Sequence, residues 1–357
     1  VAVAGVGAVS AYGLAWRGLG RAVGSKALSP APARELAATH PGVLAFEVPP
    51  IPPADDAGDA RARKAMSRPA RFAAIALRQA LDGAGFRDGR EGIGYFLGVG
   101  ASGGPIGEME AMMRASLDAQ GAVSLARLGA EGLQASNPLF TFHVLNNFSL
   151  CHGAILEGVQ GPNAALFSRG GGTVSALVEA MAAIAAGDCD RAVAGGADTA
   201  LHPVTWSELS RDGHAVAAPG EGAGLLALER ADAGTGATPL GFVESVALVP
   251  GRRRDPGEVL AAAARDATRR PVDRVLIAPS DDAKRERLGR FAAATFPGAL
   301  VDDVTAVLGE ALAATPALGW VAAMDRLACG DARRIVVVSA GVDGDVGVVT
   351  LARELAP

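Results

Sequence analysis

The sequence predicts an α/β fold of five layers, α-β-α-β-α, made of two pseudo-symmetric halves. Three observations carry that expectation. An internal repeat relates Ile184–Asp198 (IAAGDCDRAVAGGAD) to Leu327–Asp343 (LACGDARRIVVVSAGVD); each runs from a helix end through a Gly-Asp turn and a basic residue into an apolar strand and a glycine-rich loop. A long apolar helical stretch precedes that strand in both halves, at Thr173–Gly187 and Leu308–Gly330. A helix apolar nearly all round must be buried on more than one face, which places the two between two sheets. The strands themselves are continuous apolar runs, as expected of strands covered on both sides. The halves divide as 1–213, with helical insertions, and 214–357.

Taken in order, residues 1–13 open with a strand and a Gly/Ser turn, and the proline-containing stretch 14–60 is irregular. Ser67–Phe86 has helical periodicity, with Phe72, Ile75, Leu77 and Leu81 on one side and Gly85 as its stop. GIGYFLGVGAS is a strand ending in small residues, and a second helix starts at Ile106. A less regular stretch reaches Asn147, followed by a short helix, Phe148–Gly158, and a strand, NAALFSR. After the first apolar helix comes the strand Asp190–Asp198. In the second half, GAGLLALERADAG and PLGFVESVALVPG read as an antiparallel pair. Then follow the helix EVLAAAARDA, the strand VDRVLIAPS, the helix ERLGRFAAAT, the apolar helical region and two closing strands around a glycine turn.

The bulk numbers exclude several function classes. The chain has 357 residues, half of them hydrophobic and 20% charged, with positive mean hydropathy, so it supports a large core. Forty-seven glycines and only 4% aromatics suit closely packed layers. The net charge of -5 argues against nucleic acid, and the one compact basic run, Arg252–Arg254, reads as a solvated loop. No stretch reaches the roughly 18 apolar residues of a membrane span. The glycine-rich apolar start has no basic leader and reads as a strand, so a cytoplasmic location is expected. Cys151, Cys189 and Cys329 match no metal spacing and form no complete disulfide framework, so reduced, mostly buried thiols are expected. No metal and no cofactor are predicted: GVGAVSAYG lacks the full GxGxxG pattern and its acidic partner, and there is no GxxxxGK[ST].

Chemistry-bearing residues are few. SRGGGT, Ser168–Thr173, leads into the apolar helix; its N–H groups suit an anion, but close packing is the simpler reading. The histidines are His40, His143, His152, His202 and His214, which leaves the last 143 residues (357 minus 214) without an imidazole. Cys151 and His152 are sequence neighbours on a helix and do not face each other. Glu179, Asp198, Glu221 and Glu310 are candidate acids or bases that nothing in the sequence pairs. Ser168 beside Arg169 has no evident base.

The order and spacing of seven segments resemble the β-ketoacyl synthases of the thiolase fold along nearly the whole chain. They are VAVAGVGAVSAYG, SRPARFAAIALRQALDGAGF, LNNFSLCHGAILEGVQGPN, ALVEAMAAIAAGDCDRAVAGGAD, RDGHAVAAPGEGAGLLALERADA, LGEALAATPALGWVAA and VVSAGVDGDVGVVTL. In that family a cysteine at the start of the buried helix carries the acyl chain, and two histidines and a lysine assist. The resemblance puts Gly170 at the cysteine position, Pro279 and Glu310 at the histidines, and Thr305 near the lysine. Val342 falls on the gating phenylalanine. Condensation needs a nucleophile and donors that stabilise an enolate. Losing one member of such a set costs about 10³–10⁴-fold, and here the whole set is replaced.

The resemblance therefore implies no catalytic residues for condensation and a role like that of chain-length factors. These pair with an active ketosynthase, forming a heterodimer, shape its acyl tunnel and meet an acyl carrier protein transiently. Position 170 lacks even the glutamine that many of them carry, and SDDAKRERLGRFAAAT replaces a longer loop and helix, so a polyene or other highly reducing type II synthase is as open as an aromatic one. Phe140, Phe142, Leu145 and Phe167 are candidates for the pairing interface, and Met109, Met112 and Met113 for a tunnel wall. Two other readings stand beside this one: an acyltransferase, hydrolase or decarboxylase using Glu310, Ser168 or Cys151, and a homodimeric scaffold.

Overall fold

The computed structural model describes residues 1–101, 104–213, 218–232, 238–251 and 256–355. His214 and the Arg252–Arg254 run lie outside the described residues.

Ten strands carry the architecture: β1 (Ala2–Val9), β2 (Gly94–Val99), β3 (Asn163–Phe167), β4 (Arg191–Thr199), β5 (Glu221–Glu229), β6 (Gly241–Val249), β7 (Arg274–Pro279), β8 (Leu300–Asp303), β9 (Arg334–Ala340) and β10 (Val346–Ala352). Their order is β8-β7-β9-β10-β6-β1-β5-β4-β2-β3. Cut between β6 and β1, this is one five-strand pattern used twice. In each unit the second strand lies parallel between the third and fourth, and the last two pairings are antiparallel. The units join through a short antiparallel register, Ala2↔Phe242 and Val3↔Gly241.

Helices among the described residues include α1 (Arg68–Gly83), α2 (Ile106–Ala115), α3 (Phe140–Val144), α4 (Phe148–Glu157), α5 (Gly171–Ala186), α6 (Pro203–Arg211), α7 (Pro256–Ala263), α8 (Asp282–Thr295) and α9 (Ala314–Ala328). Ser67 caps α1, its hydroxyl accepting the Ala70 N–H. Alternation along a strand sends successive side chains to two different cores. Ile335 and Val337 of β9 face the central core with Val174 and Leu177 of α5 and Trp320 of α9. Val336 and Val338 face Leu260 of α7 and Leu288 of α8. On the other unit, Phe96 points to the centre, while Tyr95 and Leu97 meet Phe72 and Leu77 of α1 and Leu150 of α4. The layers are thus α1/α4, first sheet unit, α5/α9, second sheet unit, α7/α8, as the five-layer expectation requires.

Several sequence expectations need correction. The segments expected to pair with each other, β5 and β6, are separated by β1, which hydrogen-bonds to both. The N-terminal strand supplies the missing edge of the first unit. β5 therefore completes that unit, and a boundary at 213/214 falls before its last strand. The apolar stretch from Leu308 is not one helix: it breaks at Gly309–Ala313 before α9 begins. α9 is buried on nearly all sides, but α5 keeps an open stripe that includes Val178, Glu179 and Ala182, because it lies beside the edge strand β3. Trp320, 1% exposed, fills the central layer. Trp320→Ala should cost about 3–5 kcal/mol through the cavity it leaves, read as a lower midpoint in urea unfolding with unchanged slope.

Candidate functional site

Gly170, Glu310 and Val342 lie where the two units meet around the start of α5: Gly170 touches Gly341, and the loop that Glu310 holds bonds to Thr173 and packs on Val342. Gly170 precedes that helix with φ 129° and ψ −56°, a backbone that side-chain-bearing residues rarely adopt. A Cβ placed there would come 3.2 Å from the Cα of Gly341, in the β9–β10 turn. Gly341 is tighter still, since its own Cβ would lie 2.6 Å from the Arg169 carbonyl oxygen. The Arg169 N–H donates to Asp343 Oδ2 at 3.2 Å, and its guanidinium pairs with Glu208 at 2.7 Å. Gly170 is therefore a point of backbone-to-backbone contact between the units.

The break before α9 supplies the opposite wall. Leu312 sits at φ 52° in that loop, a left-handed conformation unusual for leucine. Polar side chains hold each neighbouring peptide. Glu310 Oε1 accepts the Leu312 N–H at 3.0 Å, Thr315 Oγ1 accepts the Ala311 N–H at 2.7 Å, and Asp198 Oδ2 accepts the Ala313 N–H at 3.2 Å. The Thr173 hydroxyl of α5 donates to the Ala313 carbonyl. The Leu312 side chain packs with Ala200, Leu209, Val342 and the half-buried Trp206. Val342 is 5% exposed and belongs to this apolar plug.

Two carboxylates that the sequence could not pair are coupled here. Asp198 and Glu310 are 1% and 3% exposed. Burial pushes Glu310 up to about 8, helped by the charge of Asp198 and opposed by Thr315, the Leu312 N–H and Lys284. Burial pushes Asp198 up to about 7, against its bonds to the Ala313 and Thr199 amides and the charge of Arg169. Both raised values favour the neutral acid. The other two candidates do not join this pair, although Glu221 sits across from Thr199, the residue after Asp198. Glu221 is fully buried as a clamp, accepting Arg68 Nε at 2.6 Å, the Thr199 hydroxyl at 3.1 Å and the Val48 N–H at 2.9 Å. Glu179 is exposed on α5.

Pro279 ends β7 opposite Ala340, and the Thr305 hydroxyl donates to Asp303 Oδ1 at 2.9 Å. The described imidazoles are committed elsewhere. Nε2 of His143, His152 and His202 donates to the carbonyls of Lys64, Ala65 and Gly104, and His40 bonds Thr39 and Ser207. The Ser168 hydroxyl is buried without a hydrogen-bond partner, and Cys151 lies on α4, where burial raises its thiol pKa. Among the described residues no cluster of three or more His, Cys, Asp or Glu is placed to hold a metal, and no helix is long and apolar enough to cross a membrane.

The remaining sequence candidates scatter. Phe140 is 6% exposed and packs within its own chain against Gly104, where a Cβ would strike its ring, so its burial is internal and not that of an interface. Phe142 is half-buried and meets Phe148 edge-on at 4.7 Å. Leu145 and Phe167 are 49% and 60% exposed. Met109 and Met112 are half-buried on α2, and Met113 is 41% exposed.

A family model described as β-ketoacyl synthase, N-terminal domain, matches residues 24–234. The ishigamide ketosynthase/chain length factor superposes with a TM-score of 0.78 at 24% identity, covering 98% of both chains. A type II polyketide synthase complex of acyl-carrier protein with its ketosynthase bound to the hexaketide gives 0.75 at 16% identity, with 99% of both chains covered. A β-ketoacyl synthase from Burkholderia phymatum gives 0.76 at 14% identity, again over 99% of both chains. No curated protein matches the sequence.

The site generates two predictions. Glu310 binds its proton more tightly folded, at about 8, than at its ordinary value of 4.5. Its contribution to stability is therefore greatest below about pH 4.5 and is lost as pH rises to about 8, at up to about 1.4 kcal/mol per pH unit. Glu310→Gln keeps an oxygen for the Leu312 N–H and should flatten that decline in melting temperature between pH 5 and 9; an unchanged profile would contradict the assignment. Gly170→Cys should destabilise the fold by about 1–3 kcal/mol through backbone strain, measured by chemical denaturation, and acquire no condensing activity.

Proposed function

The chain belongs to the β-ketoacyl synthase family, and from that premise we propose that it is a non-catalytic, chain-length-factor-like subunit. It pairs with an active ketosynthase and shapes the acyl tunnel in type II polyketide or fatty-acid-like biosynthesis. The observation that carries this reading is Gly170. The position has no side chain to accept an acyl group, its backbone disfavours one, and a Cβ there would press on Gly341 at 3.2 Å. A polar residue at any one degenerate position would not repair a site that lacks nucleophile and imidazoles together.

The fold around the site is intact, which fits a role in which shape and surface matter. β3 ends the sheet and leaves an unpaired strand edge. Its stretch from Gly158 to Ser168 carries no charge, and Phe167 stands 60% exposed on it. Such an edge is a ready template for another strand unless something covers it. With Val178 and Ala182 on the neighbouring stripe of α5, it makes the pairing surface. An acyl carrier protein is the transient third partner, and the assembly is cytoplasmic. The readings that use Glu310, Ser168 or Cys151 as catalysts gain no support: Glu310 is sealed in its loop, the Ser168 hydroxyl is buried without a base, and Cys151 lies on α4, apart from Gly170.

Reconstitution tests the reading. A ketosynthase that co-purifies with this chain should form product of defined length only when the chain is present, and ketosynthase alone giving the full product overturns it. Phe167→Asp should raise the dissociation constant of the pair at least about tenfold, measured by sedimentation, while leaving the melting temperature of the isolated chain near its starting value.

A further inference from the structure

The loop before α9 contains a flap of three residues, 311–313. Behind it Glu310 is anchored by its backbone: its N–H donates to the Ala218 carbonyl and its own carbonyl accepts the Gly220 N–H, each at 2.8 Å. Ahead of it α9 begins at Ala314. Between these fixed points Leu312 stands in its left-handed conformation, with its side chain in the plug of Ala200, Leu209 and Val342. Of the four side chains that hold the flap, Thr173 and Thr315 use hydroxyls, and Asp198 and Glu310 use carboxyls.

The carboxyls do more than the geometry asks. Asparagine and glutamine would accept the same amide hydrogens and could not ionise. Both acids are buried, and Gly100 lies so close to Asp198 that a Cβ there would run into its carboxyl. The charges that bear on the pair are Lys284 of α8 on Glu310 and Arg169, before α5, on Asp198. Each already serves another carboxylate: Lys284 bonds to Asp281, and Arg169 pairs with Glu208 at 2.7 Å. Glu221, on the neighbouring β5, is held by Arg68. A neutral carboxyl still offers its carbonyl oxygen to an amide, so the flap is fully held with both acids uncharged. Charging both adds two buried anions that repel each other, a cost that opening relieves.

We propose that residues 311–313 form a proton-controlled flap, closed while Asp198 and Glu310 keep their protons and swinging out as they lose them, which lifts Leu312 from Val342 and opens the apolar plug beside the Gly170–Gly341 contact. In the open flap both acids meet solvent and return to their ordinary values of 3.8 and 4.5, against about 7 and about 8 when closed. The closed values are the raised ones, so closure is strongest at low pH, weakens as pH rises, and stops weakening above about 8. Opening grows roughly tenfold per pH unit for each acid that ionises on opening.

Hydrogen exchange of the full-length chain alone, read by mass spectrometry from about pH 5 to 9 and corrected for the intrinsic rate at each pH, tests this. Protection of the flap should lie at least about tenfold below that of β9. It should fall at least about tenfold per pH unit from pH 5 to 7 and level off above about 8. Urea below the unfolding transition should leave flap exchange unchanged and accelerate exchange in β9, because local opening exposes little surface and global unfolding exposes much. Glu310→Gln and Asp198→Asn should each leave the flap at least about tenfold better protected than the unaltered chain at pH 8. A flat pH profile, or one still falling at pH 9, overturns the proposal without any variant having to fold. Equal protection and equal urea response in the flap and β9 also overturn it, by showing that the pair acts on the whole fold. A variant that folds and loses protection as the unaltered chain does overturns it too. No partner takes part in the measurement, so its outcome is independent of the pairing reading.

Discussion

The contact between the backbones of Gly170 and Gly341 is the constraint on which the rest of the site depends. It is where the start of the central helix α5 meets the turn of the closing hairpin from the other unit. A Cβ at Gly170 would press on Gly341 at 3.2 Å, and one at Gly341 would come within 2.6 Å of the Arg169 carbonyl oxygen. The left-handed geometry at Gly170 then follows from the path the chain must take from β3 into α5. The same fact that lets the units touch removes the attachment point for an acyl group. Structure and loss of chemistry are here one feature.

Around that contact buried polar groups hold a loop, and of these Glu310 alone stands where the family resemblance puts a catalyst. Asp198, Glu310, Thr173 and Thr315 each bond to a peptide between Ala311 and Ala313. They satisfy backbone groups that would otherwise be buried unpaired beside a leucine in a strained conformation. Leu312 in turn closes the space with Leu209 and Val342. A loop fixed from four directions and plugged with apolar side chains is suited to maintaining a shape, not to turning over substrate.

Much of the layer order was legible because it rests on local signals. The repeated helix-turn-strand units and the alternation of strand side chains between two cores are written in stretches of ten to twenty residues. What escaped depends on distant parts of the chain. Nothing near β5 or β6 says that β1, at the other end of the sequence, will lie between them. The break before α9 hides inside an apolar run, and its cause is tertiary: the loop turns to meet Asp198 and Thr173. Asp198 and Glu310 come together only where that loop packs on β4, so no spacing rule could pair them. Phe140 had the right character for an interface, but Gly104 leaves room for its ring inside the chain. That Gly170 offers no side chain was visible in sequence; its strained backbone and its contact with Gly341 were not.

The most direct measurement is intact-protein mass spectrometry of the chain and its ketosynthase after exposure to an acyl carrier protein loaded with the growing chain. An acyl adduct on the ketosynthase and none on this chain is the result that follows from the closed contact at Gly170. A covalent acyl group on this chain, mapped to the start of α5 and then elongated, would contradict it outright.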